Sequence, residues 1–119
     1  MRDWISGYCQ QKQGVTQEFK AAWNANLHLI GGKIFVMLGE YKDGRPLMTV
    51  KLEPAFSELL RAQYPGDIIP GYYTDQNHWS SLFLDSAVPD DVARAMLDNG
   101  YEATLGTLSK KAQAEIRAL

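Results

Sequence analysis

The clearest hydrophobic pattern in the chain lies between Leu27 and Leu52, where three apolar runs rich in β-branched and aromatic side chains are separated by Gly31-Gly32 and by Asp43-Gly44. Runs of this length, bounded by residues that accept positive φ, predict strands joined by tight turns. A two-residue turn at Gly31-Gly32 sets Leu29 opposite Ile34 and Leu27 opposite Val36. Because side chains alternate across a strand, Leu27, Leu29, Ile34, Val36 and Leu38 then share an apolar face, while His28, Ile30, Lys33, Phe35 and Met37 share a mixed one. For Met48, Val50 and Leu52 to join the apolar face, Leu38 must oppose Met48, which requires an odd connection, Tyr41 to Arg45. The mixed face then gains Leu47, Thr49 and Lys51.

On either side of this hairpin the period changes. Trp4, Ile5, Tyr8 and Cys9 recur at helical spacing within Arg2 to Gln13, and Gly14 stops that helix. Val15 to Asn26 keeps neither period and predicts an irregular connection with an extended part. Glu53-Pro54 opens a second helix, along which Phe56, Leu59, Leu60 and Tyr64 align before Pro65-Gly66 ends it. Ile68 to Tyr73 is a short extended piece that Pro70 confines to an edge or a bulge. Trp79 to Leu84 is a strand apolar at both parities, which predicts burial on both sides with Trp79 in the core. Pro89-Asp90-Asp91 starts a helix whose carboxylates meet the positive end of its dipole. That helix carries Val92, Met96, Leu97 and Tyr101 and is weakened or bent at Gly100. Leu108, Ala112 and Ile116 mark a terminal helix exposing Lys110, Lys111 and Arg117. The order α-β-β-β-α-β-β-α(α) predicts a two-layer α+β fold with an antiparallel sheet.

A chain of 119 residues, 45% hydrophobic and 22% charged, can close one core, so a single domain over 1–119 is expected. Cys9 is the one cysteine, which excludes an intramolecular disulfide, and its place on an apolar helical stripe reads as core rather than nucleophile. No basic segment followed by an apolar run opens the chain, and no stretch reaches the roughly 20 apolar residues of a membrane span. The expectation is a cytoplasmic monomer with no membrane role. A net charge of −2 disfavours nucleic acid for the chain as a whole, yet charge is segregated along it. Lys33 to Lys51 holds Lys33, Lys42, Arg45 and Lys51 against Glu40 and Asp43, whereas Asp85 to Glu102 holds five acids and one arginine.

No residue set spells out a reaction. His28 and His78 stand in no metal-ligand spacing, and His78 with Asp75 and Asp85 reads as a turn entering a strand. Asp90 and Asp91 diverge by about 100° on a helix and cannot flank one bond. Gly31-Gly32-Lys33 lacks the strand-to-helix setting of a phosphate loop, and Ser80, Ser81 and Ser109 have no activating partner in the sequence. No enzyme activity, cofactor or metal is therefore expected. The mixed sheet face is the informative surface, because Lys33 and Lys51 among Phe35, Met37 and Thr49 suit phosphate contact and base stacking unless a helix covers them.

Several words then align in order: Gly32-Lys33-Ile34-Phe35, Val50-Lys51-Leu52, Glu58-Leu59-Leu60-Arg61, His78-Trp79 leading into Leu82 to Asp85, and Pro89 followed by a helix ending at Tyr101. Together they resemble the MmcQ/YjbR family over nearly the whole chain. The resemblance implies a compact α+β fold with an antiparallel sheet, a double-wing arrangement and non-enzymatic DNA binding. The chain departs from the family at Asp75-Gln76-Asn77, where a lysine often precedes the His-Trp pair, and at Gly100, where a serine commonly precedes the tyrosine. Loss of that lysine removes one phosphate contact. The expectation is weak, largely sequence-independent contact with double-stranded DNA, with Lys33, Lys42, Arg45 and Lys51 meeting phosphate. The alternative is a protein-protein interaction or chaperone-like module with no nucleic-acid role.

Overall fold

The computed structural model describes residues 2–72 and 74–119. Ten regular elements follow in order: helix α1 (Ile5–Gln10), strands β1 (Val15–Lys20), β2 (Ala25–Ile30), β3 (Lys33–Glu40) and β4 (Pro46–Lys51), helix α2 (Pro54–Gln63), strands β5 (Ile68–Pro70) and β6 (Trp79–Phe83), and helices α3 (Asp90–Leu105) and α4 (Lys110–Arg117). The strands form one antiparallel sheet in the order β1-β2-β3-β4-β6-β5, the α+β architecture that the element pattern predicts. The segment Val15 to Asn26 resolves into β1, a 3-10 turn at Ala21–Trp23 and the start of β2. Tyr73, the expected end of the β5 run, lies outside the described residues. Among the described residues no helix is long and apolar enough to cross a membrane.

The hairpin registers are set by their turns. Gly31 and Gly32 both take positive φ, 57° and 79°, and pair Leu29 with Ile34. Beyond the connection at Tyr41 to Arg45, Leu38 faces Met48, as the odd loop requires. The expected pairing of Leu27 with Val36 does not occur. A bulge leaves Phe35 without a β2 partner, so that His28 faces Val36 and Leu27 faces Met37. Cross-strand partners share a face, and the bulge therefore redistributes the side chains. Phe35, Val36, Met48, Val50 and Leu52 join Ile30 in the core beneath the helices. Met37, Leu47 and Thr49 turn to the opposite face, with Ile34.

Helices α1, α2 and α3 pack on that core face. Helix α3 presents Ala93, Met96, Leu97, Gly100, Tyr101, Thr104 and Leu105, the i, i+3, i+4 stripe of a half-buried helix, and runs through Gly100 without interruption. Gly100 permits a close approach, since a Cβ there would lie 2.5 Å from Val50 Cγ1 and 3.0 Å from the Lys51 carbonyl oxygen. Helix α2 buries Ser57 and Leu60, while Leu59, expected on its apolar stripe, is exposed. The Arg2 side chain ties the N-terminal end to the connection before α3, donating to the carbonyls of Leu84, Ser86 and Val88 and pairing with Asp90 at 3.1 Å.

Candidate functional site

All the packing of α1, α2 and α3 falls on one side of the sheet, so the other side is left to short connections. Those connections make it concave. The 3-10 turn stands along one border, its reversal into β2 made by Asn24 in the left-handed region at φ 47°, and Asn24 Nδ2 donates to Glu40 Oε1 at 3.2 Å. Tyr72 and Thr74, between β5 and β6, stand along the other border. Between them lies a groove of about 700 Å3 with Ile34, Met37, Leu47 and Thr49 on its floor and Trp23 and Trp79 at its sides. Trp79 was expected in the core; it is instead only part-buried, because its side of β6 opens into this groove. Trp23 is 55% exposed, which is unusual enough for a tryptophan to count as a surface feature. Tyr41 closes the hairpin end, its ring 4.8 Å from Tyr72 and 5.1 Å from Phe83.

The four basic residues of the hairpin are distributed over this framework rather than gathered. Lys33 begins β3 and Lys42 follows its end, so they stand roughly 25 Å apart along the strand. Lys33 lies on the helix side, where its Nζ donates to Thr107 Oγ1 at 3.1 Å. Lys51 lies on the open side as the cross-strand partner of Trp79. The bulge at Phe35 separates these two lysines, which strict alternation puts on one face. Arg45 stacks over Phe83 with its guanidinium carbon 3.8 Å from the ring centroid and makes a forked pair with Asp85, at 2.7 Å for the nearest atoms. That hydrogen-bonded pairing raises the arginine further above its ordinary value and holds the Asp85 carboxyl below the usual range. Lys42 Nζ lies 5.4 Å from the Tyr41 ring centroid. Lys20, at the end of β1, places its Nζ 5.0 Å from the Trp23 centroid and was not singled out by the sequence, since its segment has no period to assign it to a face.

The remaining candidates for chemistry are His28, Cys9 and the His78–Asp75 pair. His28 is fully buried beneath α1, its Nε2 3.4 Å from Ser6 Oγ, and Nδ1 has no hydrogen-bond partner among the described residues. Burial pushes its pKa below the ordinary histidine value. Burial likewise pushes the Cys9 thiol up to about 12, which removes the thiolate a nucleophile requires. His78 Nδ1 and Asp75 Oδ2 are 2.6 Å apart, and Asp75 also accepts the Asn77 amide, so the carboxyl is held below its usual range. Both side chains are about half exposed in the turn that leads into β6, and Asp85 is engaged elsewhere with Arg45. Among the described residues no three His, Cys, Asp or Glu side chains stand close enough to hold a metal ion.

The chain is similar in sequence and in fold to known proteins. The YjbR family model matches residues 10–103. Protein YjbR of Escherichia coli K12, itself uncharacterized, is 30% identical over 104 residues that cover 87% of this chain and 86% of that protein. The uncharacterized protein YbdF of Escherichia coli O157:H7 is 31% identical over 88 residues, 74% of this chain and 70% of the other. Among solved structures, protein DR2400 of Deinococcus radiodurans, with the domain DUF419, gives a TM-score of 0.85 at 20% identity, covering 95% of this chain and 85% of that one. A Pseudomonas syringae protein gives 0.74 at 15% identity, covering 87% and 98%. At such identities the two solved structures speak for the fold alone.

Proposed function

The chain belongs to the YjbR family, and from that premise we propose that it is a non-enzymatic DNA-binding module, weak and largely indifferent to sequence, that meets the duplex with the open face and the hairpin end of its sheet. The observation that carries this reading is the pairing of cations with rings on that side: Lys20 over Trp23, Lys42 over Tyr41, and Lys51 beside Trp79. A lysine resting against a ring keeps its ammonium group at the surface for phosphate, and the ring itself offers a flat contact to sugar or base. Lys42 and Lys51 belong to the set read from the sequence, and Lys20 joins them. Arg45, neutralised by Asp85, and Lys33, turned toward Thr107, contribute less. A net charge of −2 keeps the affinity low.

The test is a duplex titration at about 20 mM salt, repeated as salt is raised. Three phosphate contacts give a log-log slope of about −2.7, and alanine at Lys20, Lys42 or Lys51 reduces it by about 0.9, while Lys33→Ala leaves it nearly unchanged. Absence of binding at low salt, or a slope that ignores the Lys20 and Lys51 changes, overturns the reading. The second reading, a protein-interaction module with no nucleic-acid role, is favoured by one observation, the aliphatic floor of the groove. Its complexes would hold their affinity as salt rises.

A further inference from the structure

The DNA reading uses the rim lysines and the rings beside them and leaves the aliphatic floor of the groove, Ile34, Met37 and Leu47, without a role. The groove has the attributes of a small-molecule site. Its volume of about 700 Å3 falls within the roughly 300–1,000 Å3 typical of ligand pockets, and its lining is mostly apolar with few polar groups. The hollow exists because small residues, Ala22, Ala25 and Gly39, occupy the end beside Trp23. Trp23 and Trp79 supply flat aromatic surface from opposite sides, and the first is more than half exposed to water. A ligand ring laid against Trp23 would remove that surface from solvent, the usual source of affinity for an apolar group.

Charge narrows the ligand class. Glu40 is the one acidic or basic side chain among the described lining residues, and its carboxylate already takes a hydrogen bond from Asn24 at 3.2 Å, which fixes its position at the rim. A carboxylate there accepts from a donor, and the mostly apolar lining disfavours burying a charge.

We propose that the groove binds an uncharged planar aromatic molecule whose N–H or O–H group is directed at Glu40. This site is separate in chemistry from phosphate binding at the rim, and its ligand is indifferent to salt.

N-Phenyl-1-naphthylamine has the required chemistry: uncharged, aromatic, with one N–H donor, and emissive in apolar surroundings. The expected result is a saturable rise in its emission at one equivalent per chain, accompanied by loss of tryptophan emission and unchanged by added salt. Trp23→Ala removes a wall on an exposed turn, and Met37→Lys puts a charge on the floor; each weakens binding at least tenfold with far-UV circular dichroism and the denaturation midpoint retained as proof of folding. Glu40→Leu, which removes the acceptor at similar size, weakens binding at least tenfold with the fold retained by the same two measures. Emission that fails to saturate, or binding equal to the parent chain's in the folded Trp23, Met37 and Glu40 variants, overturns the proposal.

Discussion

Gly100→Ala is expected to destabilise the fold although it replaces a poor helix former with the best one. In an exposed helix the exchange gains about 1 kcal/mol. Here the new Cβ would stand 2.5 Å from Val50 Cγ1 and 3.0 Å from the Lys51 carbonyl oxygen. The second atom belongs to the backbone of β4 and cannot rotate away, so relief requires moving α3 off the sheet or turning Val50 from its rotamer. Overpacking of this kind costs about 1–3 kcal/mol, which leaves a net loss of about 1 kcal/mol and lowers the thermal midpoint by about 4 °C. Gly7, exposed in α1 with nothing within 4 Å of a built Cβ, is the internal control: Gly7→Ala should stabilise by about 0.5–1 kcal/mol. A Val50→Ala background removes the obstructing methyl, so Gly100→Ala should cost at least about 0.5 kcal/mol less there than in the parent chain. Urea denaturation followed by circular dichroism reads all four variants. The close-approach argument is refuted if Gly100→Ala stabilises as much as Gly7→Ala does, or if its cost is the same with and without Val50.

Other residues give further tests. Burial holds His28 neutral in the folded state with its pKa below the ordinary value. The unfolded chain takes up the proton first, so stability is complete above about pH 6.5 and falls as pH drops below it. Denaturation midpoints between pH 7.5 and 5 should show that decline, and His28→Gln should flatten it. Cys9, fully buried with its thiol pushed up to about 12, should stay silent toward a disulfide reagent at mildly alkaline pH and react only when the chain unfolds. Ser57 and Ser80 hydrogen-bond each other in the core, so Ser80→Ala should cost about 1–3 kcal/mol by leaving a buried hydroxyl unpaired, and adding Ser57→Ala should cost less than the sum of the two single changes.

What could be read from the sequence follows from where polar residues interrupt apolar ones. The Tyr41 to Arg45 connection was legible because Leu38 and Met48 fix the parity on both sides of a turn-forming Asp43-Gly44. The bulge at Phe35 was not, because Ile34 to Leu38 is apolar at every position and either register satisfies the hydrophobic pattern. That ambiguity moved the candidate site as well, separating Lys33 from Lys51 and sending Met37 and Thr49 to the open face without Phe35. Strand β1 was hidden for the opposite reason: as an edge strand with four exposed residues in its middle, it has too little burial to impose a period. With it went Lys20 and Trp23, whose exposure only the fold reveals. Trp79 sits in a strand apolar at both parities, and no one-dimensional pattern distinguishes a second buried face from an apolar groove.

The central claim is that DNA meets the open face of the sheet, and the three tryptophans report on it independently. Trp4 immediately precedes α1 with Arg94 over its ring, on the helix side, whereas Trp23 and Trp79 flank the groove. Titrating duplex DNA at about 20 mM salt into protein with 15N-labelled indoles resolves the three side-chain N–H signals. The signals of Trp23 and Trp79 should move together as binding proceeds, and reverse as salt is raised, while that of Trp4 stays in place. Movement confined to Trp4, or three unmoved signals, contradicts the claim.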